Sequence, residues 1–117
     1  MLANKTPAVR VCDAIIPVLG FGTAGLVGDD ARRMVLHALN VGYRHIDTAQ
    51  VYNNENEIGA AIRASSVSRE EIFLTTKVWI DRFKEGELQQ SVEESLGRLR
   101  TDGVELLLLH WPNPNVP

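Results

Sequence analysis

Asp47, Tyr52, Lys77 and His110 are the side chains in this sequence whose types, taken together, could move a proton to or from a carbonyl oxygen. Reducing a carbonyl requires hydride at carbon and a proton at oxygen, and the phenol of Tyr52 can serve as the acid. A phenol ordinarily gives up its proton only near pH ~10, so a neighbouring ammonium that favours the phenolate is needed around neutrality. Lys77 offers that ammonium. It interrupts the apolar run of residues 72–78, and a lysine in such a run needs an acidic partner. Asp47 is the expected one. A neutral His110 would hydrogen-bond the substrate oxygen and orient it. Plainer readings exist for each: Asp47 beside Thr48 caps a turn, Tyr52 is a rim aromatic, and His110 is a core histidine next to Trp111.

The surrounding elements decide whether these residues can meet. Periodicity and turn chemistry predict a hairpin over residues 9–16, turning at Asp13-Ala14, then a strand over 18–22 ended by Gly22-Thr23. Asp29 or Asp30 is placed to cap a helix whose inner stripe is Ala31, Met34, Val35, Ala38 and Leu39, with Gly42 just past its end. A strand follows over 43–47, then a helix capped by Asn53 or Asn54 with Ile58, Ala61 and Ile62 inward. Ser68 and Glu71 have capping-box spacing. Residues 72–78 are rich in β-branched and aromatic types, as expected of a strand covered on both faces. Leu88, Val92, Ser95, Leu96 and Leu99 form the stripe of a third helix. Glu85 and Glu87 lie near its start and Arg98 and Arg100 near its end, the order its dipole favours. Asp102-Gly103 turns the chain into a strand over 104–109, expected to be buried. Asp47, Tyr52, Lys77 and His110 therefore stand at or just beyond the C-terminal ends of strands.

The strand-then-helix unit recurs at intervals on the order of 25 to 32 residues, which fits either a (β/α)8 barrel or a doubly wound sheet. In a barrel, the rim at the strand C-termini carries the active site. Gly20, Gly22 and Gly25 approach a Gly-x-Gly-x-x-Gly dinucleotide-binding pattern, but the helix begins only after Gly28. Composition fits one ordinary domain: 117 residues, 44% hydrophobic and 23% charged. A net charge of -3 with scattered Lys and Arg offers nucleic acid no basic surface. The longest apolar run, residues 106–109, is far short of the ~20 residues that cross a bilayer. The first ten residues lack the apolar core of a signal peptide. Cys12 stands alone, so no internal disulfide is expected, and a cytoplasmic location is the default. The Cys and His spacings suggest no metal site.

The segment Gly42-Tyr43-Arg44-His45-Ile46-Asp47-Thr48-Ala49-Gln50-Val51-Tyr52 closely resembles the first signature of the aldo-keto reductases, and Asn54-Glu55 and Gly59 match its continuation. Thr75-Thr76-Lys77-Val78-Trp79 resembles the strand bearing the family lysine, and Leu109-His110-Trp111-Pro112 the strand end bearing the family histidine. The likeness runs from about residue 15 to residue 112, and motifs of this length, in order, are specific. It implies a (β/α)8 barrel that uses NADPH, usually in preference to NADH, to interconvert small aldehydes or ketones with alcohols. Asp47, Tyr52, Lys77 and His110 fall on the family's catalytic tetrad. Gly22 and Thr23 match the loop that approaches the cofactor, with Asp47 near its ribose and nicotinamide end. Trp79 and Trp111 match aromatics that wall the substrate pocket. Ala24 stands where many relatives have a large aromatic. The pattern looks nearest the bacterial diketogluconate reductases.

A complete barrel typically needs about 250 residues. Residues 1–117 are accordingly expected to be the N-terminal half of a single barrel domain: a hairpin, four strands and three helices. In relatives, the remainder supplies the main contacts to the nicotinamide amide, pyrophosphate and adenosine phosphate. The first and last barrel strands would be unpaired edges that invite self-association. An inactive half-barrel or a noncatalytic partner-binding module is the alternative of a different class. A barrel hydrolase with Asp47 and Glu55 as paired carboxylates is a further one. It needs a separation of roughly 5 to 9.5 Å across a cleft and leaves Lys77 without a task.

Overall fold

The structure, a computed structural model, describes residues 7–116. The expectation that the first residues carry no leader falls mostly on positions outside that range. A two-stranded antiparallel hairpin comes first, β1 (Ala8–Val11) and β2 (Ala14–Pro17), with Arg10 opposite Ile15. It turns at Cys12-Asp13, one residue earlier than expected, and Cys12 adopts a positive φ of 54°. Four parallel strands follow: β3 (Gly20–Gly22), β4 (His45–Asp47), β5 (Phe73–Val78) and β6 (Leu106–Leu109), side by side in chain order. Helices α1 (Gly28–Asn40), α2 (Glu55–Ala64) and α3 (Glu87–Leu99) connect them. This is the strand-helix alternation of half a barrel, not the reordered sheet of a doubly wound fold.

Strand alternation sorts the residues into two layers. Ile46 of β4 and Leu74 of β5 point toward the helices and join Val35, Leu39, Ile58, Ala61, Ile62 and Leu99 in the core. Each fully buried Ile or Leu contributes on the order of 2 kcal/mol. His45, Asp47, Thr75 and Lys77 occupy the other face. There, a ring nitrogen of His45 bonds the Thr75 hydroxyl at 2.9 Å. Helices α2 and α3 meet at Gly59, where a Cβ would lie 2.5 Å from the Leu99 carbonyl oxygen. Only glycine allows that approach.

Several local expectations change. Asp29 and Asp30 do not cap α1, because the helix already begins at Gly28 behind Val27. They lie in the first turn and pair with Arg32 and Arg33, where their charge suits the dipole. Met34 falls on the solvent side, 44% exposed, while Ala31, Val35, Ala38 and Leu39 are buried. Gly42 follows the helix with φ 116° as expected. Asn54 occupies the N-cap position of α2, yet its side chain makes no cap bond. Asn53 instead ends a 3-10 turn in the left-handed region. Ser68 and Glu71 form no capping box, since the Ser68 hydroxyl donates to Glu70 across a short 3-10 turn. In α3, Gln89 rather than a hydroxyl closes the first turn, accepting from the Gly86 N–H at 2.9 Å. Ser91, Ser95 and Leu99 are its buried positions.

The largest correction concerns β6. Leu107 and Leu108 are each 40% exposed and Leu109 is 60% exposed, where burial was expected. Among the described strands, β6 pairs with β5 alone. β3 and β6 are the two edges of the sheet. Among the described residues, no helix is long and apolar enough to cross a membrane.

Candidate active site

Asp47 ends β4 and lies opposite Thr75 in the sheet, so Lys77, two residues further along β5, shares its face at the strand C-termini. Its ammonium donates to Asp47 Oδ1 and, at 3.0 Å, to the Thr48 carbonyl. Lys77 is thus held between a charge and a peptide dipole, with its side chain only 13% exposed. The same nitrogen stands 5.2 Å from the centre of the Tyr52 ring. Tyr52 closes the 3-10 turn Gln50–Tyr52 that follows β4. His110, just past β6, is tied to the sheet by its N–H to the Val78 carbonyl at 3.0 Å, and its ring meets Tyr52 edge-on at 5.6 Å. Asp47, Tyr52, Lys77 and His110 therefore converge on one rim.

His110 sits among aromatic rings. Trp79 approaches edge-on at 5.3 Å, and Trp111 lies parallel at 6.3 Å. Burial, assisted by the nearby Lys77 charge and opposed by Asp47, lowers the His110 pKa below its ordinary 6.5. The ring is therefore neutral at physiological pH. Its Nδ1 is buried with no partner among the described residues, which favours a bare lone pair there and the proton on Nε2. Trp79 is half-buried, whereas Trp111 is 60% exposed and stacks on His110.

The loop after β3 meets this rim from the side. Thr23 is fully buried, and both its N–H and its hydroxyl donate to the Asp47 carbonyl, at 3.1 and 3.0 Å. Its side chain fixes Asp47 and is not available to a ligand. Gly22 is exposed, and a Cβ there would meet nothing within 4 Å. With Asp47, Gly20 and His45 it lines an open groove of about 510 Å³ that Val9 and Ile16 of the hairpin also border.

Behind the rim, the buried Asn54 joins three segments. It donates to the carbonyls of Thr23 and Leu26 at 2.9 and 3.0 Å and accepts from the Thr48 hydroxyl at 2.7 Å. Glu55, 1% exposed, faces the helices, where it accepts from the Thr76 hydroxyl at 2.6 Å and from Arg98 at 2.8 Å. Asp47 and Glu55 thus lie on opposite faces of the sheet and cannot flank one cleft, which removes the paired-carboxylate hydrolase.

With this geometry in place, the aldo/keto reductase family pattern matches residues 18–117. The chain belongs to the aldo/keto reductase family. Among aldo/keto reductases, it is 50% identical over 100 residues to methylglyoxal reductase DkgB of Escherichia coli O157:H7, covering 86% of this chain and 38% of that one. It is 50% identical over 99 residues to glycerol 2-dehydrogenase (NADP(+)) of Saccharomyces cerevisiae, covering 85% and 31%. A crystal structure of a candidate 2,5-diketo-D-gluconic acid reductase B superposes with a TM-score of 0.91 at 49% identity, over 99% of this chain and 41% of that one. The chain spans less than half the length of these aldo/keto reductase relatives.

Sequence reasoning missed Gln50 and underrated Asn54. Gln50 was given no role of its own and Asn54 only that of a helix cap, and apart from Thr48, six positions from Asn54, their partners lie 28 to 45 positions away. Gln50, Asn54 and Glu55 all stand in segments that resemble the aldo/keto reductase signature or its continuation, and that likeness is the signal that could have found them.

Proposed function

We propose that these residues supply the proton-donating side of a nicotinamide-dependent reduction of aldehydes or ketones to alcohols, within the N-terminal half of one barrel domain. One observation carries the reading. The Lys77 ammonium, held by Asp47 and Thr48, lies 5.2 Å from the centre of the Tyr52 ring, which the neutral His110 imidazole meets at 5.6 Å. A carbonyl oxygen placed between the Tyr52 hydroxyl and His110 Nε2–H would meet two donors. As negative charge grows on that oxygen, the Tyr52 proton passes to it, and the phenolate left behind faces the Lys77 ammonium. Asp47 aims Lys77. His110 orients the oxygen and, being neutral, adds no charge that would repel Lys77.

The residues present fit a nicotinamide cofactor. The open backbone at Gly22 borders the groove beside Asp47, and the Thr23 bonds hold Asp47 at that border. Gly22 and Asp47 would contact the cofactor, with Thr23 acting through Asp47. When bound, the cofactor would supply hydride to the carbonyl carbon. A relative named for NADP(+) supports NADPH as the form used, and a relative named for methylglyoxal supports small carbonyl substrates. Trp79 and Trp111 would form the substrate walls. The retained acid, ammonium and carboxylate favour this reading over a noncatalytic module.

The test is Tyr52→Phe in a full-length barrel carrying these residues. NADPH oxidation with a small aldehyde should fall by at least about a hundredfold, the scale of general-acid catalysis, while fluorescence titration shows NADPH still bound. A variant that keeps its rate overturns the assignment.

A further inference from the structure

Gln50 opens the 3-10 turn that carries Tyr52, and both ends of its carboxamide are hydrogen-bonded. Its Oε1 accepts the Trp79 backbone N–H at 3.0 Å. Its Nε2 donates to the Ser91 carbonyl at 3.2 Å and to the Ser95 hydroxyl at 3.1 Å. Ser91 and Ser95 are the buried polar residues of α3, 1% and 0% exposed. Trp79 is the first residue past β5, which ends at Val78, so its N–H has left the sheet ladder and takes Gln50 as partner. One side chain therefore joins the turn bearing Tyr52, the segment bearing Trp79 and the rigid helix α3. The Trp79 ring in turn stands edge-on to His110 at 5.3 Å.

We propose that Gln50 is a positioning residue that sets the size of carbonyl substrate accepted, by fixing Trp79 against His110. It touches no reacting atom in this scheme. The idea rests on the proposed reductase function for its substrate consequence, but not for its structural half. With the carboxamide removed, Trp79 loses its backbone anchor, its indole moves away from His110, and the wall beside the carbonyl recedes. Bulky aldehydes then gain relative to small ones. A glutamate at this position keeps the acceptor for Trp79 but loses both donations to α3, so it should give an intermediate effect.

Two measurements test this. In a Trp111→Phe background, where Trp79 is the remaining indole, Gln50→Leu should raise acrylamide quenching of Trp79 fluorescence about twofold, as a freed aromatic becomes accessible on the nanosecond scale. In the full-length barrel, Gln50→Leu should raise the ratio of kcat/KM for a bulky aromatic aldehyde over that for methylglyoxal by about tenfold, within the range that pocket size gives. Gln50→Glu, with a smaller change in both readouts, replaces it if the leucine variant does not fold. Unchanged quenching would overturn the anchoring of Trp79. Changed quenching with an unmoved ratio, including a uniform loss of rate, would overturn the specificity role. If Tyr52→Phe keeps its rate while the quenching still changes, the reductase chemistry fails and the anchor stands.

Discussion

Asn54→Ala isolates the buried network that fixes the rim. The side chain is fully buried and makes three hydrogen bonds, to Thr23 O, Leu26 O and Thr48 Oγ1. Truncation affects these groups unequally. The Thr23 carbonyl keeps the Leu26 N–H at 3.1 Å, whereas the Leu26 carbonyl and the Thr48 hydroxyl lose the partner the amide gave them. At about 1–3 kcal/mol for each buried group left bare, the expected loss is about 3–5 kcal/mol once the small void is included. For a chain of this size, each kcal/mol moves the melting temperature by about 4–8 °C. Urea titration of parent and variant, with the slope m unchanged, measures the difference. Asn54→Asp is the informative companion. It retains the acceptor for Thr48 but turns two donors into acceptors facing carbonyl oxygens, so its carboxyl should prefer the protonated form in the folded state. Its penalty should therefore shrink as pH falls toward 4. A loss below about 1 kcal/mol for the alanine variant would show that water replaces the amide without cost and would refute the reasoning.

Two further outcomes follow from other contacts. Gly59→Ala should destabilise by about 1–3 kcal/mol, although the same change in an open helix would stabilise by about 1 kcal/mol, because the new Cβ would fall 2.5 Å from the Leu99 carbonyl; thermal melting that shows a gain would contradict that contact. His110 should titrate by NMR with a midpoint below 6.5, since burial lowers its pKa. The unfolded chain then protonates first, so this residue's contribution to stability is intact above 6.5 and is lost as pH falls toward the folded midpoint. A midpoint at or above 6.5 would contradict the burial.

The sequence was informative wherever one chemical requirement left few alternatives. A lysine inside residues 72–78 demanded an acidic partner, and Asp47 is the one it meets. Helical spacing identified Val35, Leu39, Ile58 and Ile62 as core because period and hydrophobicity agreed. Helix starts were less legible. Asp29, Asp30 and Asn54 are all good capping types, but an aspartate one turn in can serve an arginine, and an asparagine can be claimed by distant carbonyls. No local pattern distinguishes these uses. Met34 shows the limit of the stripe rule, since it lies at the margin of the buried arc. The leucines of β6 show another: four apolar residues mark a strand but say nothing of what lies beside it.

The alternation along β4 and β5 has a consequence for how such a chain can change over generations. Neighbouring positions serve opposite purposes, with Ile46 and Leu74 committed to the helical layer and Asp47, Thr75 and Lys77 to the open face. Inserting or deleting one residue within either strand would swap these assignments wholesale, sending the ammonium into hydrocarbon and turning valine to the open face. Length variation is therefore confined to the connections, whereas the short strands behave as fixed codes in which chemistry and cohesion are read from alternate letters.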